Sequence, residues 1–180
     1  MERCFSCSRP AVYHAYHFGR SFCAQHFKRY LVRKLRRELY RLKAVSPGDS
    51  VAVRTDGSLP SLGAARLFAD ATRKWKLRIY GARAGRKIDK EIRTDFLQYH
   101  VHKILKGIAD GDIKQPGAVD GNIIRPFLAF PGKALAVYAL LEGVAFEEDR
   151  APELGGAFRY ASVALCLNFV RAYEKLQQAF

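Results

Sequence analysis

Acidic residues are scarce in this 180-residue chain: 17 Asp and Glu stand against 31 Lys and Arg, a formal net charge of +14. An excess of that size costs self-repulsion in a compact state and persists most readily where a polyanion is the partner. Long apolar runs are also missing. The longest, Ala134–Leu141 and Ala161–Val170, fall far short of the roughly 20 residues a helix needs to cross a bilayer. The opening residues Met1-Glu-Arg-Cys4 hold no apolar stretch that could act as a secretory signal, so the chain is expected to be soluble and cytoplasmic. No internal repeat or low-complexity tract is visible. Asparagine occurs only at Asn122 and Asn168, and methionine once, a depletion of thermolabile residues that points to a hot-growing host. What is present excludes disorder. Hydrophobic residues make up 49% and aromatics 12%, enough for a core in one ordinary domain with a small appendage.

The chain has only four cysteines, and three fall in the first 23 residues as Cys4-Phe-Ser-Cys7, a gap of fifteen, then Cys23-Ala-Gln-His26. Two residues between ligands let a tight turn aim both at one ion, and a second such pair closes a tetrahedron. Cys4, Cys7, Cys23 and His26 are therefore expected to hold a structural Zn2+ ion, which in so short a knuckle would hold the fold more than any core. His14 and His17 are competing fourth ligands, but they sit mid-loop without a paired cysteine. A redox Cys-x-x-Cys pair would open a helix after a strand, and no such strand precedes Cys4. Cys166, within Val163-Ala-Leu-Cys-Leu167, reads as a small core residue.

Lys28, Arg29, Arg33, Lys34, Arg36, Arg37, Arg41 and Lys43 follow the second half-site with one acid, Glu38, among them. Leu31, Leu35, Leu39 and Leu42 recur at spacings of three and four, so the segment reads as an amphipathic helix. A solvated face would mix signs and gain from Glu–Lys pairs. With one acid to pair, the eight cations are better matched to RNA phosphates.

Beyond the Ser46-Pro-Gly-Asp-Ser50 break the pattern is α/β. Val51–Val53 and Leu77–Tyr80 read as strands, and Leu62–Lys74 as the helix between them, which makes a parallel βαβ unit. Glu91–Ile108, Lys133–Leu141 and Arg159–Leu176 read as helices, and Ile123–Pro126 as a further strand. Trp75, Phe96, Phe127 and Tyr138 are expected in the core. In such a sheet a phosphate would meet the turn after Val53. That turn, Arg54-Thr-Asp-Gly-Ser58, has one glycine, no lysine, and an acid, Asp56, that repels phosphate.

These features resemble the archaeal and thermophilic tRNA 2-thiouridine synthetase family of the PP-loop ATP pyrophosphatase superfamily. The resemblance runs through Cys4–His14, Arg20–Phe27, the basic helix to Val53, and resumes at Ile124–Gly143, where Arg125-Pro-Phe-Leu-Ala-Phe-Pro-Gly-Lys133 is similar to a segment of the family. It implies a shortened, PP-loop-like (Rossmann-like) parallel sheet with flanking helices, behind an N-terminal zinc knuckle and a basic helix. The corresponding divisions are 1–27, 28–46 and 47–180. The family's Ser-Gly-Gly-Lys-Asp-Ser phosphate loop is replaced here by Arg54–Ser61, its central cluster-binding cysteine pair is missing, and Ala151 stands at a later cysteine position. Thr94-Asp95-Phe-Leu-Gln98 keeps only Asp95 and Gln98 of the family's Asp-Asp-Glu-x-Gln.

The resulting expectation is a non-enzyme: a zinc-containing, ribosome-associated or tRNA-binding protein whose partner is tRNA or rRNA, alone, in a ribonucleoprotein, or beside an active paralogue. The alternatives are an ATP-dependent uridine-adenylating thiolation enzyme and a pseudoenzyme that binds only protein.

Overall fold

The computed structural model describes residues 2–16, 19–81, 87–111 and 117–146, with residues 166, 168 and 170. His17, the Glu147–Pro152 stretch and most of the helix read at Arg159–Leu176 lie outside the described residues.

The knuckle is a short antiparallel hairpin of β1 (Tyr13–Ala15) and β2 (Arg20–Phe22), with Tyr13 opposite Phe22 and Ala15 opposite Arg20. It runs directly into α1 (Ala24–Arg41). This helix begins at Ala24, inside the segment read as knuckle, and stops at Arg41 rather than 46. Leu42 caps it and Lys43 turns into left-handed backbone at φ +47°. Phe27, Leu31, Leu35 and Leu39 lie four apart and are buried to 1% exposure or less. That spacing drifts by only about 40° per step, so the four side chains form one stripe. The stripe packs into the same core as Leu67, Phe68, Phe127, Phe130 and Leu135.

The body is a five-stranded sheet in the order β4-β3-β5-β7-β6. Its strands are β3 (Ser50–Arg54), β4 (Arg78–Tyr80), β5 (Lys90–Arg93), β6 (Val119–Asp120) and β7 (Ile123–Ile124). The interior pairs are parallel and the β6–β7 edge is antiparallel, so the sheet is mixed rather than purely parallel. The helices are α2 (Leu59–Thr72), α3 (Leu97–Ala109) and α4 (Gly132–Leu141). Chain direction switches sides at β3, which has β4 on one flank and β5 on the other. No helix among the described residues is long and apolar enough to cross a membrane.

The helix read over Glu91–Ile108 divides in two. Lys90–Arg93 is strand β5, and the helix begins only at Leu97. β5 is paired in parallel with β3 on one side and β7 on the other, the Glu91 amide donating to the Asn122 carbonyl, so pairing with two neighbouring strands outweighs the local helical period. Phe96, Phe127 and Tyr138 are buried as expected, whereas Trp75 is only partly buried at the edge of the core. Cys166 is buried beside Leu97 and Val101.

Helices α2 and α4 meet at backbone distance through Gly63. A Cβ added there would lie 2.1 Å from the Leu135 carbonyl oxygen and 3.1 Å from the Ala139 methyl. Farther along the seam the Tyr138 hydroxyl donates to Asp70 at 2.8 Å. Gly63→Ala should therefore force the two helices apart and cost about 2 kcal/mol, read as a lowered urea midpoint. A wild-type midpoint would refute this close packing.

Candidate metal centre and cationic face

Both half-sites of the knuckle are set by backbone geometry. The Cys4 amide donates to the Arg9 carbonyl at 2.8 Å and the Ser8 amide to the Cys4 carbonyl at 3.1 Å, with Ser8 at φ +56° closing the turn. The Phe5 amide ties this turn to the Ser21 carbonyl of β2. Cys23 is the extended N-cap of α1, and His26 lies in its first turn. The four ligand atoms come within 4.8 Å of one another. Cys7 Sγ is 3.6 Å from Cys23 Sγ, and His26 Nδ1 is 3.5 Å from Cys4 Sγ and 3.4 Å from Cys23 Sγ. A tetrahedron with metal–sulfur bonds of about 2.3 Å and metal–nitrogen bonds of about 2.0 Å has edges of about 3.5–3.8 Å. The donor set therefore fits a tetrahedral metal ion.

Burial would raise the Cys4 thiol, but donation from the Cys23 and Ser6 amides and from the two neighbouring thiols outweighs it and holds the pKa at about 6. Cys7 moves the other way. The Arg9 amide lowers it, yet burial and the adjacent Cys23 and Cys4 sulfurs together push it up. A second thiolate is costly beside the first unless a cation is shared. His14, the rival ligand, is turned elsewhere: its Nδ1 is 2.7 Å from both Glu2 and the Ser21 hydroxyl.

The eight cations read as phosphate-facing divide into two groups. Lys28 pairs with Glu142 at 2.6 Å, and Arg41 donates to Glu38 at 3.2 Å. Lys34 turns inward, donating to the Ala129 carbonyl at 2.7 Å with its ammonium 4.5 Å from the centre of the Phe130 ring. Burial pushes its pKa down to about 8, Arg37 adds to the shift, and Glu38 opposes it. These three each have a partner within the protein. Lys43 is exposed beyond the helix end. Arg29, Arg33 and Arg37 are exposed and make no ion pair among the described residues. With Arg36, whose Nε also donates to the Ala71 carbonyl at 2.9 Å, they line a groove of about 700 Å3. Ser6, Phe22, His26 and Tyr30 complete its walls, and among the described residues no carboxylate lines it. Glu38 sits three residues before Arg41, so that pair was legible from spacing. Glu142 and Ala129 are distant in sequence and carried no local signal.

A second cleft of about 130 Å3 lies at the carboxyl ends of β3 and β5, lined by Arg54, Asp56, Arg93, Asp95 and Lys103 among others. Here the turn after β3 is occupied by its own side chains. The Asp56 carboxylate accepts from the Ser58 amide at 2.9 Å and from the Ser58 hydroxyl at 2.7 Å. The Asp56 amide donates to Ser61 Oγ, which bonds Thr94 Oγ1 at 2.6 Å. Of the two residues shared with the resembled motif, Asp95 faces Lys103 and Arg125, and Gln98 accepts from the Gly132 amide at the start of α4. Arg54 stands where the sequence reading began the turn, at the end of β3, but Arg93 and Lys103 come from β5 and α3, and reading of the turn alone missed them. Arg93 and Arg54 both reach Glu91, the latter at 3.4 Å.

Lys34 gives a pH signature. Its folded pKa lies below the ordinary 10.5, so between about 8 and 10.5 the unfolded chain binds its proton more tightly and stability rises with pH. Relative to Lys34→Met, the wild-type protein should gain stability across that window in denaturant titrations. A pH-independent difference would return Lys34 to solvent.

No protein-family model and no curated protein matches the sequence. Among solved structures, the U34-tRNA thiolase NcsA from Methanococcus maripaludis, with its [4Fe-4S] cluster, is similar at a TM-score of 0.72 and 15% identity, over 100% of this chain and 88% of that one. At that identity the likeness is one of fold. It corrects the expectation of a non-enzyme: the similar structure is a tRNA thiolase, so this fold is one that carries catalysis, and the altered turn after β3 does not make the chain a non-enzyme.

Proposed function

We propose that this protein holds a zinc ion at Cys4, Cys7, Cys23 and His26 and binds tRNA along the exposed face of α1. The observation that carries the reading is the groove in which Arg29, Arg33, Arg36 and Arg37 converge beside His26. Arginines four apart on one helix face repel one another, and no carboxylate among the described residues lines the groove to offset them. Phosphates are the complementary ligand: each one neutralised releases counterions, and the guanidinium fork matches its geometry. The fold of a tRNA thiolase favours tRNA as the source of those phosphates. The metal's part is structural. Three thiolates and one imidazole form a closed set with no open position, and through Cys23 and His26 the ion would anchor the first turn of α1.

The same fold favours a second reading, in which the bound tRNA is also the substrate of a thiolation step. The cleft at the ends of β3 and β5 would then receive the nucleotide. Micromolar binding of ATP with magnesium carries that reading, and no binding removes it.

Arg29, Arg33 and Arg37 changed together to Ala should weaken tRNA binding across sequences and reduce the slope of log affinity against log salt by about 2 to 3. Lys34→Met should leave that slope unchanged. Unaltered affinity in the triple variant would sink the assignment. Expressed with zinc supplied, the protein should carry about one equivalent of metal by elemental analysis, and less than half would count against the four ligands.

A further inference from the structure

The cationic stripe of α1 does not end in open solvent. Arg29, Arg33, Arg37 and Tyr40 follow one another at spacings of four, four and three, a single helix face about 16 Å long. Tyr40 is 70% exposed, an unusual state for so large a ring at the end of a helix whose opposite face is fully buried. Its ring centre lies 5.1 Å from that of Trp75, at an interplanar angle of 52°. The two rings are walls of a cavity of about 390 Å3, completed by Val45, Pro47, Lys74 and Lys76. The loop that holds Pro47 is tied down, the Gly48 amide donating to the Lys76 carbonyl at 3.3 Å. Among the described residues Lys74 and Lys76 are exposed and make no ion pair, and no acid lines the cavity.

Flat π faces, a proline ring and a rim of lysines are what an unpaired nucleotide requires: a stacking surface for the base and cations for the phosphates on either side. An apolar protein segment would use the rings and leave the lysines unpaired, which disfavours it on charge. We propose that the Tyr40–Trp75 cavity takes one unpaired base of an RNA whose backbone runs along Arg29, Arg33 and Arg37. This deepens the tRNA reading above and rests on it for the identity of the longer ligand. Chemically, the occupant is a single-stranded nucleotide of any base, because every base offers a π face and no side chain here is arranged to read an edge.

Trp75 is the only tryptophan in the chain, so its fluorescence reports this cavity alone. The full chain would be titrated with a single-stranded hexauridylate, a blunt RNA duplex and unmodified tRNA. Trp75 emission should be quenched by the hexauridylate and by tRNA and stay unchanged with the duplex. Tyr40→Ala, which removes an exposed ring and leaves the core intact, should lower hexauridylate affinity about five- to tenfold. Emission indifferent to hexauridylate would overturn the proposal, whether or not tRNA binds. tRNA binding measured by anisotropy of labelled tRNA, with unquenched Trp75, would overturn the cavity and leave the groove standing. Quenching by hexauridylate without tRNA binding would uphold the cavity and remove the tRNA reading. Equal quenching by the duplex, or emission that changes with protein concentration alone, would also overturn it, the latter by placing a second copy of the chain there.

Discussion

Burial of one face of α1 is the constraint on which the rest of the molecule depends. Phe27, Leu31, Leu35 and Leu39 are locked among residues of α2, α4 and the intervening loops, and their removal from water contributes on the order of 2 kcal/mol each. That burial fixes the rotation of the helix. Once it is fixed, Cys23 and His26 at the first turn are presented to Cys4 and Cys7, and Arg29, Arg33 and Arg37 are forced outward. The Cys3His cluster and the groove are thus two consequences of a single packing event. They meet at His26, which belongs to both.

Charge is distributed unequally around the same helix, and position explains it. Lys34 lies between Leu31 and Leu35 in sequence, at the margin of the buried stripe, where its long stem packs inward and the ammonium finds a carbonyl and an aromatic face. Lys28 reaches Glu142 just beyond α4. Those contacts stitch α1 to the body of the fold and remove two cations from the surface field. Arg29, Arg33, Arg36 and Arg37 make no ion pair among the described residues, so the local potential is concentrated in one groove. A polyanion approaching it gains from field and shape together.

The other end of the sheet follows different physics. Strand β3 has neighbours on both flanks, which creates the crevice where α/β folds place their ligands. In this chain the turn after β3 satisfies itself: Asp56 supplies the negative charge at the start of α2, and Ser61 and Thr94 bridge to the neighbouring strand. The amides of Asp56 and Ser58 already have partners within the turn. Yet the architecture around the turn is that of a tRNA thiolase. The self-contained hydrogen bonding of this turn is compatible with that fold, as expected where the sheet and helices are held by a core remote from the loop.

Much of the molecule could be read from residue order. The convergence of Cys4, Cys7, Cys23 and His26 was legible because each pair is local in sequence, and α1 was legible because a four-residue apolar repeat has one helical solution. The β3–α2–β4 unit was legible from hydrophobic runs set between turn residues. The division of Glu91–Ile108 into a strand and a helix was not, because β5 exists only through hydrogen bonds to strands far away in sequence. Nor could order alone separate the arginines that face solvent from Lys28 and Lys34. Helical spacing fixes which residues share a face, but Glu142, Ala129 and Phe130 decide which of those cations are neutralised or buried. The meeting of Tyr40 with Trp75 is of the same kind. Chemistry confined to a few consecutive residues was written in the chain, whereas chemistry that needs two remote segments in contact arose only when the core closed.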